Sequence, residues 1–366
     1  MTSILIAVSV ICAINTAFAI LLLIAEALIV DTGECRIVIN GEKELAVNGG
    51  RSLLATLKDE QIFIPSACGG RGSCGLCKVT VLEGAGPLLP TETPWLTPEE
   101  QKGQIRLACQ VKVRRDLRIK IPDELFNVRQ YCTQVEDITD LTHDIKQITL
   151  KLLEPPEIAF KAGQFIQIEV PPYALTDEPV YRAYSISSDP AEKDHMELEI
   201  RYVPNGICTT YVHKHLKPGD KVTLNGPYGE FGLSASDSEL ICIAGGSGMA
   251  PIKSILLEMA RTGNPRRCRY FFGARSGRDL FLNDLMRSLE QKLPNFSFIP
   301  TLSSPQPEDR WEGEIGKVTD AVGRHVKDAS RAEAYLCGSP LMIDACIKLL
   351  REKDMPEDKI FYDKFA

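Results

Sequence analysis

At 366 residues the chain is too long for one ordinary domain and suits two or three. With 44% hydrophobic and 25% charged residues it is globular, not disordered. Its net charge of −7, with acidic and basic residues interspersed after residue 31, excludes nucleic acid as the main partner.

From Ile4 to Val30 the text is nearly all apolar, broken only by Asn15, Thr16 and Glu26. A bilayer-spanning helix needs about 20 such residues. A cleaved signal peptide would need a basic start and a shorter apolar core, and neither is present. The run predicts a retained transmembrane helix over residues 1–30. Arg36, Lys43 and Arg51 on its C-terminal side place the soluble body in the cytoplasm, at the cell inner membrane.

Three blocks follow, making a multidomain chain of α+β and α/β parts. Residues 31–125 open with the alternation Arg36-Ile37-Val38-Ile39-Asn40, then Gly41, then Lys43-Glu44-Leu45-Ala46-Val47, which predicts a hairpin turning near Asn40-Gly41. A helix is expected from Ser52 to Asp59. The alternating run Val111 to Ile121 predicts a closing strand with its basic residues on the wet face. In residues 126–235 short strands separated by Pro and Gly (Ile145 to Leu152, Gln164 to Val170, Met196 to Val203, Lys221 to Leu224) predict a small antiparallel barrel. In residues 236–366 strand and helix alternate: Leu240 to Ala244, a helix over Pro251 to Thr262, then Arg269 to Gly273, Phe296 to Thr301 and Ala334 to Cys337. That rhythm predicts a doubly wound parallel sheet.

Eight of the twelve cysteines are scattered beside apolar residues, as inert core thiols in a reducing compartment would be. The other four form a pattern: Cys68-x5-Cys74-x2-Cys77, with Cys109 far downstream. A pair of irons bridged by sulfide needs four thiolates, commonly three from one loop and one from a distant strand. Gly69, Gly70, Gly72 and Gly75 clear side chains from that loop and leave amides to face the sulfurs. Tetrahedral zinc also takes four thiolates, although zinc ribbons use two short Cys-x-x-Cys pairs. The stretch Ser66 to Cys77 resembles the plant-type ferredoxin loop, a β-grasp module carrying [2Fe–2S]. Its five-residue first gap, behind one transmembrane helix, resembles the F-subunit family of the Na+-translocating NADH:quinone reductase.

Arg182-Ala183-Tyr184-Ser185 resembles the Arg-x-Tyr-Ser motif of the ferredoxin–NADP reductase family. That likeness implies Arg182 on a flavin pyrophosphate, Tyr184 on the isoalloxazine face and Ser185 near the flavin N5. The segment Glu199-Ile200-Arg201 to Asn205-Gly206-Ile207-Cys208-Thr209 resembles the family's next motif. It adds Arg201, with Gly206, Cys208 (by its amide alone) and Thr209 at a helix start suited to phosphate. Gly245-Gly246-Ser247-Gly248-Met249 is a strand-to-helix glycine turn that could be purely structural; in its place after the flavin motifs it matches the family's nicotinamide site. By the same resemblance Arg275 and Ser276 stand where the adenosine ribose would lie, and with Arg278 they leave NADH and NADPH hard to separate, since an arginine can accept a 2′-phosphate; the F-subunit likeness implies NADH. Cys337-Gly338-Ser339-Pro340 resembles the family's Cys-Gly-x-Pro, whose cysteine lies beside the nicotinamide ring. Phe365 is the candidate aromatic lid on the flavin, and Ser185 and Cys337 are the candidate catalytic pair. His143, His195, His213, His215 and His325 show no ligand spacing and read as surface or core residues.

The resemblance to the F-subunit family spans essentially the whole chain. It implies that NADH gives hydride to FAD, and that single electrons pass to the cluster and on to other membrane subunits toward quinone. Two rival readings share these motifs: the reductase component of a multicomponent oxygenase, and an anchored ferredoxin-like carrier without enzyme activity.

Overall fold

The computed structural model describes residues 2–29 and 33–365, without the side chains of 2–5, 7, 22–29, 124 and 127. Helix α1 is Thr2–Ile29. Among the described residues no helix is long and apolar enough to cross a membrane. In α1 the described side chains are only Ile6 and those of 8–21, all exposed, so the anchor expected over Ile4 to Val30 falls partly outside the described residues. The chain divides into two compact units: one holds residues up to 64 and 70–127, the other 65–69 and 128 onward.

The first unit is a mixed five-stranded sheet, β1 (Glu34–Ile39), β2 (Lys43–Asn48), β3 (Lys78–Glu83), β4 (Ile105–Leu107) and β5 (Leu117–Lys120), in the order β2-β1-β5-β3-β4. The hairpin turns on Asn40 and Gly41, both at positive φ, as that dipeptide favours. Helix α2 (Leu53–Asp59), capped by Ser52 through the Ala55 amide, buries Leu53 and Leu57 against the sheet. A short α3 (Pro98–Lys102) carries a Thr97/Glu100 capping box.

The closing strand is shorter than expected. Of the alternating run Val111 to Ile121, only β5 is strand. Val111, Val113, Leu117, Ile119 and Ile121 are buried in alternation as expected, but Arg114-Arg115-Asp116 forms an exposed bend that interrupts the ladder.

The second unit contains two sheets. Strands β6 (Arg129–Asp140), β7 (Ile145–Glu154), β8 (Phe165–Val170), β9 (Val180–Ser185), β10 (His195–Arg201) and β11 (Lys221–Tyr228) form an antiparallel sheet, and α4 (Ile207–Lys214) follows β10. Its edge strands meet where Ile186 bridges Leu198, so the sheet curls into a barrel around Ile148, Leu150, Ile166, Met196, Leu198 and Leu224.

After the barrel come β12 (Glu239–Gly245), α5 (Met249–Thr262), β13 (Cys268–Ala274), α6 (Asn283–Lys292), β14 (Phe296–Leu302), β15 (Glu314–Ile315), α7 (Val318–His325), β16 (Ala332–Gly338), α8 (Pro340–Arg351) and β17 (Ile360–Lys364). The sheet is all parallel, in the order β15-β14-β13-β12-β16-β17. Helices α5 and α6 cover one face and α7 and α8 the other. The chain winds outward from β12 in one direction, then returns to β12's other side with β16. The carboxyl ends of β12 and β16 therefore flank a topological switch point, where open α/β sheets receive their ligands.

Candidate active site

At that switch point β12 ends in Gly245, a single turn spans Gly246–Gly248, and α5 begins at Met249. The turn lies against both β10 of the barrel and the end of β16. Gly248 has no room for a side chain. A Cβ there would run into the Cys337 carbonyl and stand 2.9 Å from the Gly338 nitrogen. Cys337 pairs in register with Ala244 and is fully buried. Burial first, then the Asp363 carboxylate, pushes its thiol well up, so it stays protonated. Phe365 is tied to this point by its amide, which donates to the Gly338 carbonyl at 2.9 Å.

A cleft of about 920 Å³ opens beside the turn. His143, Asp144 and Arg201 line it from the barrel side, and Gly246, Arg275, Ser276, Glu308 and Lys317 from the parallel sheet. Arg201 donates its Nε to Asp144 at 2.7 Å, while its guanidinium faces Gly246. Burial would raise the Asp144 carboxyl, but hydrogen bonds from Arg201 and Thr142 outweigh it and hold it below the usual range. Arg275 is exposed; Ser276 is buried, with both its amide and its hydroxyl on Asp279. Ser276 is thus a turn-capping residue at the cleft wall, and its hydroxyl is already engaged. Ser247 and Met249 lie within the glycine turn and the first turn of α5, Met249 fully buried.

On the barrel, Arg182, Tyr184 and Ser185 close β9, with Ser185 buried and Tyr184 packed on the barrel core. Arg182 Nη1 donates to the Tyr181 carbonyl at 2.7 Å. Gly206 caps α4, whose Ile207, Cys208 and Thr209 amides precede the first backbone bond, Thr210 N to Gly206 O. Such a helix start suits an anion. Burial pushes the Cys208 thiol up to about 11, so at neutral pH it carries no charge and only its amide can serve an anion. Thr209 differs from expectation. Its hydroxyl turns back, donating to the Val203 carbonyl at 3.1 Å and accepting from the Val203 amide at 3.2 Å. Only its amide remains at the helix start.

Three features escape the sequence reading. His143, read as a surface or core residue, lines the cleft 3.7 Å from Asp279. Lys253 on α5 is buried, with its Nζ 2.8 Å from Glu197, 3.1 Å from Gln147 and 3.6 Å from Glu199. Glu199 is itself buried without a hydrogen bond, and burial pushes its carboxyl up to about 7. With Ser254 donating to the Ser188 carbonyl at 2.7 Å and Arg261 on Asp189 at 2.9 Å, this contact fastens α5 to the barrel. The one local signal that could have found it is a lysine on the buried side of an apolar helix.

The third is Asp363, the register partner of Cys337. Burial pushes its carboxyl up to about 6 from an ordinary 3.8. Because the folded value lies above the unfolded one, the associated stability is fully present below pH 3.8 and is lost as pH rises through about 6. Asp363→Asn stays neutral throughout. Its melting temperature should therefore vary less than the parent's between about pH 4 and 7, measured by calorimetry.

In the first unit, Gly70, Gly72 and Gly75 all sit at positive φ in the cysteine loop, as does Gly69 before them. Cys74 is half-buried in that loop, as is Cys68, which falls in the second unit, and Cys77 opens onto β3. Cys77 and Cys109 are buried together in the core. A mutual hydrogen bond, then burial, then the Cys109 and Cys74 charges push the Cys77 thiol far up. Thiols crowded in this way ionise together only around a positive core, which is what an iron pair supplies. Among the described residues no three His, Cys, Asp or Glu side chains converge on a single ion. A two-iron cluster asks for none, since each iron takes two protein thiolates.

Comparison with known proteins finds three domain families in succession along the chain. The 2Fe-2S iron-sulfur cluster binding domain family matches residues 37–114, the oxidoreductase FAD-binding domain family residues 132–232, and the oxidoreductase NAD-binding domain family residues 242–348. The F subunit of Na(+)-translocating NADH-quinone reductase from Neisseria meningitidis is 36% identical over 95% of this chain and 96% of its own length. Its counterpart from Idiomarina loihiensis is 37% identical over 87% of both. Among solved structures, a cytochrome P450 reductase from Amycolatopsis matches 90% of this chain and 98% of its own, with a TM-score of 0.73 and 27% identity. The cofactor set is therefore FAD, NADH and a [2Fe–2S] cluster, and the activity that of an NADH-dependent flavin and iron–sulfur oxidoreductase. The chain belongs to the F-subunit family of the Na(+)-translocating NADH-quinone reductases.

Proposed function

We propose that this chain is the NADH-oxidising subunit of a membrane-bound quinone reductase of the Na+-translocating type, held at the cell inner membrane by α1 with its soluble domains, 31–125, 126–235 and 236–366, in the cytoplasm. The observation that carries the reading is the cleft at the switch point. One nicotinamide-type glycine turn there meets a buried cysteine, an arginine from the barrel and the C-terminal strand.

Each residue has a physical task. Gly245 to Met249 present backbone at a helix start for the NADH pyrophosphate, with Arg201 opposite. Arg275 and the Ser276 turn take the adenosine ribose. Arg182 and the amides of Gly206, Cys208 and Thr209 hold the FAD pyrophosphate, and Tyr184 stacks on its ring. Ser185 and Cys337, a hydroxyl and a neutral thiol, position the ring and the nicotinamide against each other, where reacting atoms must lie about 3–3.5 Å apart. Gly338 lets the chain pass that point without a side chain, and Phe365 covers the ring until nicotinamide enters. Lys253, Glu197, Ser254 and Arg261 keep barrel and parallel sheet in register during transfer. FAD supplies acceptance of a hydride and release of single electrons, and the cluster held by Cys68, Cys74, Cys77 and Cys109 supplies a one-electron outlet.

The likeness to the Amycolatopsis reductase favours a second reading, the reductase component of an oxygenase. The two part at α1. Deleting residues 1–33 should leave NADH oxidation with a soluble one-electron acceptor within about twofold, and cut NADH-to-quinone activity of reconstituted membranes more than about tenfold. Full quinone activity from the truncated protein would overturn the anchored assignment.

A further inference from the structure

Gln110, the residue after the last cluster cysteine, reaches back to the sulfur beside it. Its Nε2 lies 3.5 Å from Cys109 Sγ, within reach of an N–H···S hydrogen bond. The other end of the same amide, Oε1, accepts from the Thr91 hydroxyl at 2.9 Å. A cluster-bound thiolate can only accept, so the amide nitrogen is the end that faces it, and the Thr91 hydroxyl, able to donate or accept, takes the oxygen as a donor. Space for the amide is made by Gly72 of the cysteine loop, where a Cβ would stand 2.7 Å from Gln110 Nε2 and 3.0 Å from its Cδ.

Thr91 is in turn held firmly. Its neighbour Glu92 is fully buried and paired with Arg106, itself 6% exposed. Glu92 accepts from Arg106 Nη2 at 2.6 Å, from the Leu107 amide at 2.9 Å and from the Leu89 amide at 3.0 Å. Arg106 also donates to the Gly86 and Pro87 carbonyls, both at 3.0 Å. Burial would raise the Glu92 carboxyl, but these hydrogen bonds outweigh it and keep it charged. A buried, fully satisfied ion pair thus pins the Thr91 loop to β4, two residues before Cys109.

We propose that Gln110 sets the reduction potential of the cluster: its amide, oriented by Thr91, donates to the Cys109 sulfur and favours the reduced, more negative form. Hydrogen bonds to ligand sulfurs raise cluster potentials because they stabilise the added charge. Thr91 is a positioning residue acting through Gln110. The inference rests on the four-thiolate cluster reading.

The test is an EPR-monitored redox titration of the full-length holoprotein, with iron content measured in parallel. Gln110→Leu should shift the reduced-to-oxidised ratio about tenfold toward oxidised at a fixed potential, a midpoint about 59 mV lower for a one-electron couple. Thr91→Val should move it in the same direction by about threefold. Midpoints equal to or above the parent's in both variants, with full iron content, overturn the proposal. Should Gln110→Leu lose iron, Thr91→Val decides alone: a lowered midpoint upholds the proposal, an unchanged one overturns it. A parent protein with no iron and no cluster EPR signal defeats the cluster reading itself, and this inference with it.

Discussion

Cys77→Ala should remove the cluster's EPR signal and its iron, as the proposed ligand role requires, yet leave NADH-driven bleaching of the flavin at close to the parent rate. Cys77 is buried at the start of β3 beside Cys109, so no water-borne ligand can replace its sulfur without opening the core. An iron left with one protein thiolate is lost, because ligand binding and site formation are coupled. The fold should survive. Removing one sulfur from a core that contains Ile37, Leu53, Leu107 and Ile119 costs about 1–2 kcal/mol. Within the second unit the hydride site is supported by the hydrophobic clusters of the barrel and the parallel sheet. Iron assay, EPR and anaerobic absorbance after adding NADH check all three statements. Loss of flavin reduction together with the cluster would show that the two redox sites do not fold independently.

Gly248→Ala should lower kcat/KM for NADH-driven flavin reduction by about 100-fold or more, with flavin and iron contents unchanged. The added carbon would lie 2.6 Å from the Cys337 carbonyl carbon and 2.9 Å from the Gly338 nitrogen. Both are backbone, so no side chain can swing away. Either the glycine turn lifts off β16 or the end of β16 moves, and each displaces Cys337 from the switch point. A control separates this from a general penalty on glycine. Gly263 ends α5 at φ +63 and would place its Cβ in open space. Gly263→Ala should therefore cost about 1 kcal/mol of stability through backbone strain and leave NADH kinetics alone. Stopped-flow absorbance and thermal melts of the two variants make the comparison.

How far the sequence could be read follows from which constraints are local. The turns of the cysteine loop were legible because its glycines lie within one short stretch, and Gly69, Gly70, Gly72 and Gly75 all sit at positive φ. The middle of the parallel sheet was legible because β12, β13 and β16 are mostly apolar runs, each broken by a single charged residue. The run Val111 to Ile121 misled because its two halves keep the same phase: a continued strand would bury Arg115 between Val113 and Leu117, and the chain instead bends there and leaves Arg114 to Asp116 exposed. Thr209 misled for a similar reason. A hydroxyl at a helix start can face a ligand or close its own turn, and residue type does not choose between them. Lys253 with Glu197, and Cys337 with Asp363, were out of reach because each pair joins segments far apart in the chain.

The order of electron movement can be seen directly by mixing the anaerobic full-length protein with NADH in a stopped-flow, with rapid-freeze EPR on the same reaction. Flavin absorbance should fall first and the cluster signal should rise afterwards, no faster than the flavin reacts. A cluster signal that develops with no preceding flavin bleaching, or at full rate in protein stripped of flavin, would contradict the path from NADH through flavin to iron.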